Sequence, residues 1–321
     1  FLIGTHALFQ KSISFKNLGL IIIDEQHKFG VNQRIELSRK GGKNCDILLM
    51  SATPIPRTLV LTLYGDMDVS RLIEKPMNRK EIITLSKPEE KIEEILLFIR
   101  KQINNGNQIF WVCPLIEESK KLDYSAAVKK YNLLLKSFSK KVGLIHGGLH
   151  KEEKDKVLKS FLKKNIDILV ATTVIEVGID FPNANIIIIE NSDKFGLSQL
   201  HQLRGRVGRG SSQGTCILLY KKNLSENAKK RIKILKSSND GFFIAEEDMK
   251  LRGFGDVLGY QQSGVKDFKL ADPIKHEDLF KIAEENIRHI EQDENNFKRY
   301  DYLLKLFDKA DIINQVNLDL N

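Results

Sequence analysis

DILVATTVIEVGIDFPNANIIIIE, residues 167–190, holds the pattern that settles the fold class. Two runs in it, DILVAT (Asp167–Thr172) and NIIIIE (Asn185–Glu190), are of strand length and apolar at every interior position. Strands that are apolar on both faces belong to a parallel sheet covered by helices on each side. TTVIEVGIDFPNAN, residues 172–185, joins them as a loop with a short helix, and its hydroxyls, Gly178 and Asp180 could touch phosphates or relay contacts, a weak signal by itself.

The same pattern continues outward. LGLIIID (Leu18–Asp24), ILLMSA (Ile47–Ala52), QIFWVC (Gln108–Cys113), VGLIH (Val142–His146) and TCILLY (Thr215–Tyr220) also read as buried strands. Amphipathic stretches lie between them. PEEKIEEILLFIRKQI (Pro88–Ile103) has an early Pro, Glu in its first turn and NNG beyond its end, which are helix start and stop signals. KEEKDKVLKSFLKK (Lys151–Lys164) predicts a helix with Val157, Leu158, Phe161 and Leu162 on one face. This alternation makes an α/β fold of βαβ crossovers. A polar link, KPMNRKE (Lys75–Glu81), separates two such blocks, and after Tyr220 helices replace strands around a Gly-rich LRGFGDVLG (Leu251–Gly259). The expected organisation is half of a first lobe over 1–78, a whole second lobe over 79–222 and a helical region over 223–321.

With 321 residues, 41% hydrophobic and 29% charged, the chain can bury a core and is expected to form about two domains. Its apolar runs fall well short of the roughly 20 residues a membrane span needs. The opening FLIGTHALF lacks a signal-peptide pattern, and Phe at position 1 reads as a fragment of a longer protein. Three cysteines, Cys45, Cys113 and Cys216, stand far apart without C-x-x-C, which fits a reducing cytoplasm. The net charge of +9 divides as +5 over 1–80, +7 over 81–222 and −3 over 223–321. A polyanionic partner and a Lys-rich solvated surface both account for that balance.

Chemistry concentrates at strand ends. IIIDEQH (Ile21–His27) sets two adjacent carboxylates at the C-terminal end of a buried strand, where open α/β sheets bind ligands. Their repulsion would be relieved by a cation. The arrangement suits Asp24 holding Mg²⁺ beside Glu25 orienting an attacking water. SATPIPRTL (Ser51–Leu59) ends another strand in hydroxyls that can bond those carboxylates across the sheet. QLRGRVGRG (Gln202–Gly210) carries three arginines and three glycines. Arg206 and Arg209, three apart, would share one face of a helix, and clustered guanidinium groups suit phosphate.

Together these segments resemble the motif series of superfamily 2 helicases and translocases. More closely, GTHALFQ, DEQHKFGV, SATPIPRTL, VCPLIEES, HGGLHKEEKD, VIEVGIDFPNA, QLHQLRGRVGRG and AEEDMKLRGFGDVLGYQQSG resemble, in order, the bacterial branched-DNA helicases of the RecG family. VCPLIEESKKLD separates that family from the transcription-repair coupling factors, its nearest rival. Lys28 departs from the family's Arg, keeping the charge and losing the planar fork.

The resemblance implies RecA-like lobes, ATP and Mg²⁺ between them, and forks and four-way junctions as DNA partners, with no stable protein partner. Asp24 would hold the metal, Glu25 would orient water, and Arg206 and Arg209 would reach the phosphates with help from Gln202. His27, Ser51, Thr53 and Asp180 would couple that pocket to the DNA side. Gly4, Thr5, His6, Thr172 and Thr173 would touch the DNA backbone. Residues 241–264 would form the family's translocation hairpin, with Arg252, Gln261 and Gln262 turning lobe closure into movement. G-x-x-x-x-G-K-[ST] occurs nowhere in the 321 residues. The phosphate cradle and the fork-gripping wedge domain are therefore expected upstream of Phe1, and the chain alone would be a non-catalytic nucleic-acid-binding module.

Overall fold

The computed structural model describes residues 1–10, 12–25, 40–41, 45–52, 68–74, 79–114, 120–138, 141–172, 180–210 and 212–252, with 276, 278–279, 282–283 and 285–287. The chain divides into two compact units, one of 1–56 with 69–253, the other of 57–68 with 254–321. Every element below lies in the first.

Two strands come first, β1 (Leu20–Ile23) and β2 (Asp46–Leu49), paired parallel with Ile23 opposite Leu49. Ile21 and Ile23 are buried with Leu18, Cys45, Ile47 and Leu49 beside them, while Leu20, Ile22 and Leu48 are exposed on the other face.

Then follow β3 (Ile83–Pro88), α1 (Ile92–Asn104), β4 (Gln108–Cys113), α2 (Lys120–Phe138), β5 (Val142–Ile145), α3 (Lys151–Leu162), β6 (Ile168–Thr172), β7 (Ala184–Ile189), α4 (Leu197–Arg204), β8 (Thr215–Tyr220), α5 (Glu226–Ser237) and α6 (Gly241–Arg252). Six strands form one sheet in the order β3-β8-β7-β4-β6-β5, with every neighbouring pair parallel.

All residues of β4, β6 and β7 are buried, as runs apolar on both faces require. Successive side chains alternate between two cores. Phe110, Val112, Ile187 and Ile189 point to one face, covered by α3, α4, α5 and α6 through residues such as Phe161, Leu200, Leu235 and Ile244. Ile109, Trp111, Ile186 and Ile188 point to the other, covered by α1 and α2 through Ile99 and Leu134. Phe110, Phe161 and Phe181 close a triangle with centroids 5.3 to 5.5 Å apart, edge-on or tilted as aromatic quadrupoles prefer. Each such side chain contributes about 1.5–3 kcal/mol by leaving water.

Two expectations change in detail. Pro88 ends β3 and does not begin a helix; a 3₁₀ turn (Glu89–Lys91) intervenes before α1. On α3, Leu158 and Phe161 are buried and Val157 packs beside them, but Leu162 is 42% exposed because it falls off the end of the stripe.

Burial decides the cysteine chemistry. The Cys216 thiol is pushed up to about 12 by burial, and the Cys113 thiol is raised further by burial and by Glu190, whose Oε2 it faces at 3.5 Å. At pH 8 a thiol near 12 is thiolate about one part in ten thousand, and the thiolate is the nucleophile. Ellman's reagent should therefore titrate Cys45, which is partly exposed, and reach Cys113 and Cys216 only after denaturant is added. Three thiols reacting at one rate in the native chain would contradict this packing.

Candidate active site

Parallel pairing of β1 with β2 brings two strand ends side by side. The Met50 amide donates to the Ile23 carbonyl at 2.8 Å, so Asp24 and Glu25 leave the sheet next to Ser51 and Ala52. Glu25 adopts φ +52°, a left-handed conformation that costs a non-glycine residue about 1–2 kcal/mol. Such strain is held by surrounding contacts and gathers at functional sites. Asp24 Oδ1 accepts from the Glu25 amide at 2.8 Å, and Glu25 Oε2 accepts from the Ala52 amide at 3.4 Å. The SAT segment thus meets the carboxylate through a backbone N–H. His27 and Thr53 lie outside the described residues.

Across from these carboxylates is the loop that follows α4. Arg206 and Arg209 are not on a helix. The helix ends at Arg204 with Gly205 as its cap, and Gly208 turns the chain at φ +67°, a conformation that favours glycine. At Gly210 a Cβ would come within 2.6 Å of the Pro182 carbonyl oxygen, so the loop can lie flat only with glycine there.

The three arginines of QLRGRVGRG part company. Arg204 is 2% exposed, and its Nη1 donates to the carbonyls of Leu235 at 2.6 Å and Ser238 at 2.8 Å, tying α4 to the α5–α6 link. Arg206 is half-buried and Arg209 is exposed. Arg209 Nη1 stands 3.7 Å from Asp180 Oδ1, and its Nε donates to the Gly205 carbonyl at 3.4 Å. Arg79, from the segment read as a plain polar link, donates through Nη2 to the same carbonyl at 3.1 Å.

A cleft of about 910 Å³ is lined by Glu25 and Ala52 on one side and by Gln202, Arg206, Arg209 and Arg79 on the other. Burial holds Arg206 below the usual arginine range, Arg209 pushes it further down, and Glu25 opposes the shift. At Arg79 burial again comes first and Arg209 second, with Asp180 opposing. Arg209 thus repels both Arg79 and Arg206, and a polyanion entering among them would relieve the repulsion.

Three family models match the chain in sequence order: DEAD/DEAH box helicase over 1–61, helicase conserved C-terminal domain over 87–211, and ATP-dependent DNA helicase RecG, domain 3, C-terminal, over 238–319. The ATP-dependent DNA helicase RecG of Bacillus subtilis (strain 168) is 47% identical over 94% of this chain and 44% of its own length. Its counterpart from Thermotoga maritima is 50% identical over 90% of this chain and 37% of its own length. The chain is thus similar to RecG helicases along about nine tenths of its length. It spans less than half the length of these relatives. A solved structure of RecG bound to a three-way DNA junction is 46% identical and superposes with a TM-score of 0.65 over 87% of this chain and 35% of that one. S. cerevisiae Dbp5 L327V bound to RNA and ADP BeF3, 18% identical with a TM-score of 0.51 over 77% of this chain and 66% of that one, shares the fold.

The other positions singled out by the RecG motifs are placed as follows. Gly4 and Thr5 are exposed, and Thr5 precedes a 3₁₀ turn (His6–Phe9). Lys40 Nζ pins that turn by donating to the carbonyls of Leu8, Gln10 and Ile13. Thr172 is 3% exposed, because β6 lies between β4 and β5; a DNA contact there asks for a hydroxyl at the surface. Thr173, Gln261 and Gln262 lie outside the described residues. Arg252 ends α6, where its Nε donates to Asp248 Oδ1 at 3.2 Å, and Asp248 Oδ2 bonds Ser198 on α4. The Arg252 guanidinium lies over Gly196, at the start of α4, where a Cβ would meet Nη2 at 2.4 Å. α6 is therefore fastened to the helix that leads into the arginine loop.

Proposed function

We propose that the whole natural protein is an ATP-dependent DNA helicase that remodels stalled forks and four-way junctions, and that the cleft described above is where ATP phosphates are turned over. The observation that carries this is the facing of Glu25, held in a strained backbone, and the Arg206–Arg209 loop across one cleft. The RecG–junction complex, at 46% identity, supports branched DNA as the partner. Three free cysteines and no helix among the described residues long and apolar enough to cross a membrane agree with a cytoplasmic enzyme.

The residues fit this chemistry. Among the described residues no group of three or more His, Cys, Asp or Glu side chains forms a metal cage. Mg²⁺ bound with nucleotide phosphates needs only one or two protein carboxylates, and Asp24 can supply one. Such an ion, when bound, would supply positive charge to neutralise the phosphates. Glu25 orients a water and takes its proton. Arg206 and Arg209 stabilise charge on the phosphate oxygens, as arginine fingers do. Asp180 braces Arg209, Gln202 lines the same cleft and helps position the pair, and Ser51 carries the state of the carboxylates toward the DNA side. Gly4 to His6 meet the DNA backbone, giving salt-dependent binding with little sequence preference.

For the 321 residues alone, the absence of G-x-x-x-x-G-K-[ST] favours a non-catalytic nucleic-acid-binding module.

DNA-stimulated ATPase and fork unwinding, measured on one preparation of the whole protein, test this function. No stimulation by forked or four-way DNA would overturn it. Arg252→Ala separates the two activities in the same assay. As a mere C-terminal helix charge Arg252 would be worth about 0.3–1 kcal/mol and have no functional role. Through Asp248 it is tied to Ser198 on α4, the helix that leads into the arginine loop. Unwinding should fall by about tenfold or more while hydrolysis changes by about twofold or less, the mark of a lost coupling rather than a lost site. Equal retention of both activities would show that Arg252 only ends a helix.

A further inference from the structure

We propose that Arg79, in the segment leading into β3, is a positioning residue for the arginine loop: by holding the Gly205 carbonyl it fixes where Arg206 and Arg209 stand in the cleft. This rests on the reading of the cleft as a phosphate site.

The last carbonyls of a helix have no partner within it. At the end of α4 the Gly205 carbonyl takes donors from two guanidinium groups, Arg79 Nη2 at 3.1 Å and Arg209 Nε at 3.4 Å. A single oxygen therefore joins the incoming segment to one of the two cations of the loop. Asp180 braces the same pair: it stands 3.7 Å from Arg209, and its charge also acts on Arg79.

The backbone behind Arg79 is stitched to the far side of the loop. The Ile83 amide donates to the Gly214 carbonyl at 2.9 Å, and Gln213 Nε2 bonds the Glu81 carbonyl. Ile82 fills the space over Gly208 and Gly214, where an added Cβ would meet its Cγ1 at 3.5 and 3.1 Å. Residues 79–83 and the loop thus form one piece, with Arg79 at its cleft end. The chain reaches 79–83 from the first-lobe side, so the segment that joins the lobes also sets the cations of the second.

Without Arg79 the Gly205 carbonyl loses a charged donor, and the loop relaxes at its cleft end while β3 and β8 stay paired. A displacement of about 1 Å in groups that must meet a reacting phosphate costs up to about 10²-fold in rate. Ground-state binding of nucleotide, shared among many contacts, suffers far less.

The test uses the whole natural protein with Arg79→Ala, and Arg206→Ala as its companion. The measurements are DNA-stimulated kcat and KM for ATP, the affinity for a fluorescent ATP analogue, and the melting temperature. Arg79→Ala should lower kcat about 10- to 100-fold, with analogue affinity within about twofold and melting unchanged. An unchanged kcat overturns the proposal. So does weaker analogue binding with kcat intact at saturation, which would make Arg79 a direct phosphate contact. If Arg79→Ala melts low, Arg79→Lys, which keeps the stem and charge without the fork, is scored by the same criteria. Turnover lost in Arg206→Ala and kept in Arg79→Ala overturns this proposal alone. Turnover that survives Arg206→Ala overturns the phosphate reading and this one with it.

Discussion

Replacing Glu25 with Gln in the whole natural protein should leave nucleotide bound and stop its turnover. Glutamine matches the volume of glutamate, and its carbonyl oxygen can still accept from the Ala52 amide, as Glu25 Oε2 does at 3.4 Å. The left-handed turn at φ +52° and the Asp24 contact to the residue 25 amide are backbone features that the substitution leaves in place. What disappears is a negative charge facing Arg206 and a base able to take a proton from water. Loss of a positioned general base costs about 10²–10⁴-fold in rate. Nucleotide affinity should change by about twofold or less, since the phosphates are held by cations and not by Glu25. Single-turnover hydrolysis and equilibrium binding of ATP, measured together, decide this. Affinity and rate falling in parallel would make Glu25 a strut between β1 and β2 and not the residue that orients water.

The purified 321-residue chain should release no phosphate from ATP, with or without DNA. It carries the arginine loop and both strand-end carboxylates, but no segment matching G-x-x-x-x-G-K-[ST]. In that motif successive backbone N–H groups cradle the phosphates, and a Lys bridges them. The Arg79–Arg206–Arg209 cluster can attract an anion without fixing it in line with a water. Binding to DNA is a separate property. It should persist at low salt and weaken steeply as salt rises, because it rests on counterion release. DNA-stimulated phosphate release from the chain alone would mean that the nucleotide sits elsewhere.

Runs buried on both faces were the most legible part of the fold. QIFWVC, DILVAT and NIIIIE have no polar interior position, and each became a central strand with alternate residues in the two cores. β3 escaped notice because ITLSKP is an edge strand: one side pairs with β8, its apolar Ile83 and Leu85 face water, and its alternation lasts only four residues before Lys87 and Pro88. At the site, spacing pointed to Arg206 and Arg209 but to the wrong scaffold, because a three-residue interval fits a helix as well as a glycine-turned loop. Arg204 and Arg79 carried no sequence signal of their own. One is a buried tie between helices and the other is a clamp from a segment 126 residues away from its acceptor. The Asp-Glu pair was legible as two carboxylates at a strand end. The left-handed turn that aims Glu25 was not, since no glycine or asparagine marks it.

The pairing of β3 with β8 also has a mechanical consequence. The chain enters β3 from residues 79–82 and leaves β8 toward α5 and α6, and the two strands run parallel over six residue pairs, Ile83 with Thr215 through Pro88 with Tyr220. Tension applied between the start of β3 and the end of β8 therefore slides the strands along each other. The hydrogen bonds of the pair resist that load together, whereas strands pulled from the same end would unzip one bond at a time. A pull along the chain between its N-terminal and C-terminal ends would therefore load this edge of the sheet in shear, the direction in which paired strands are stiffest.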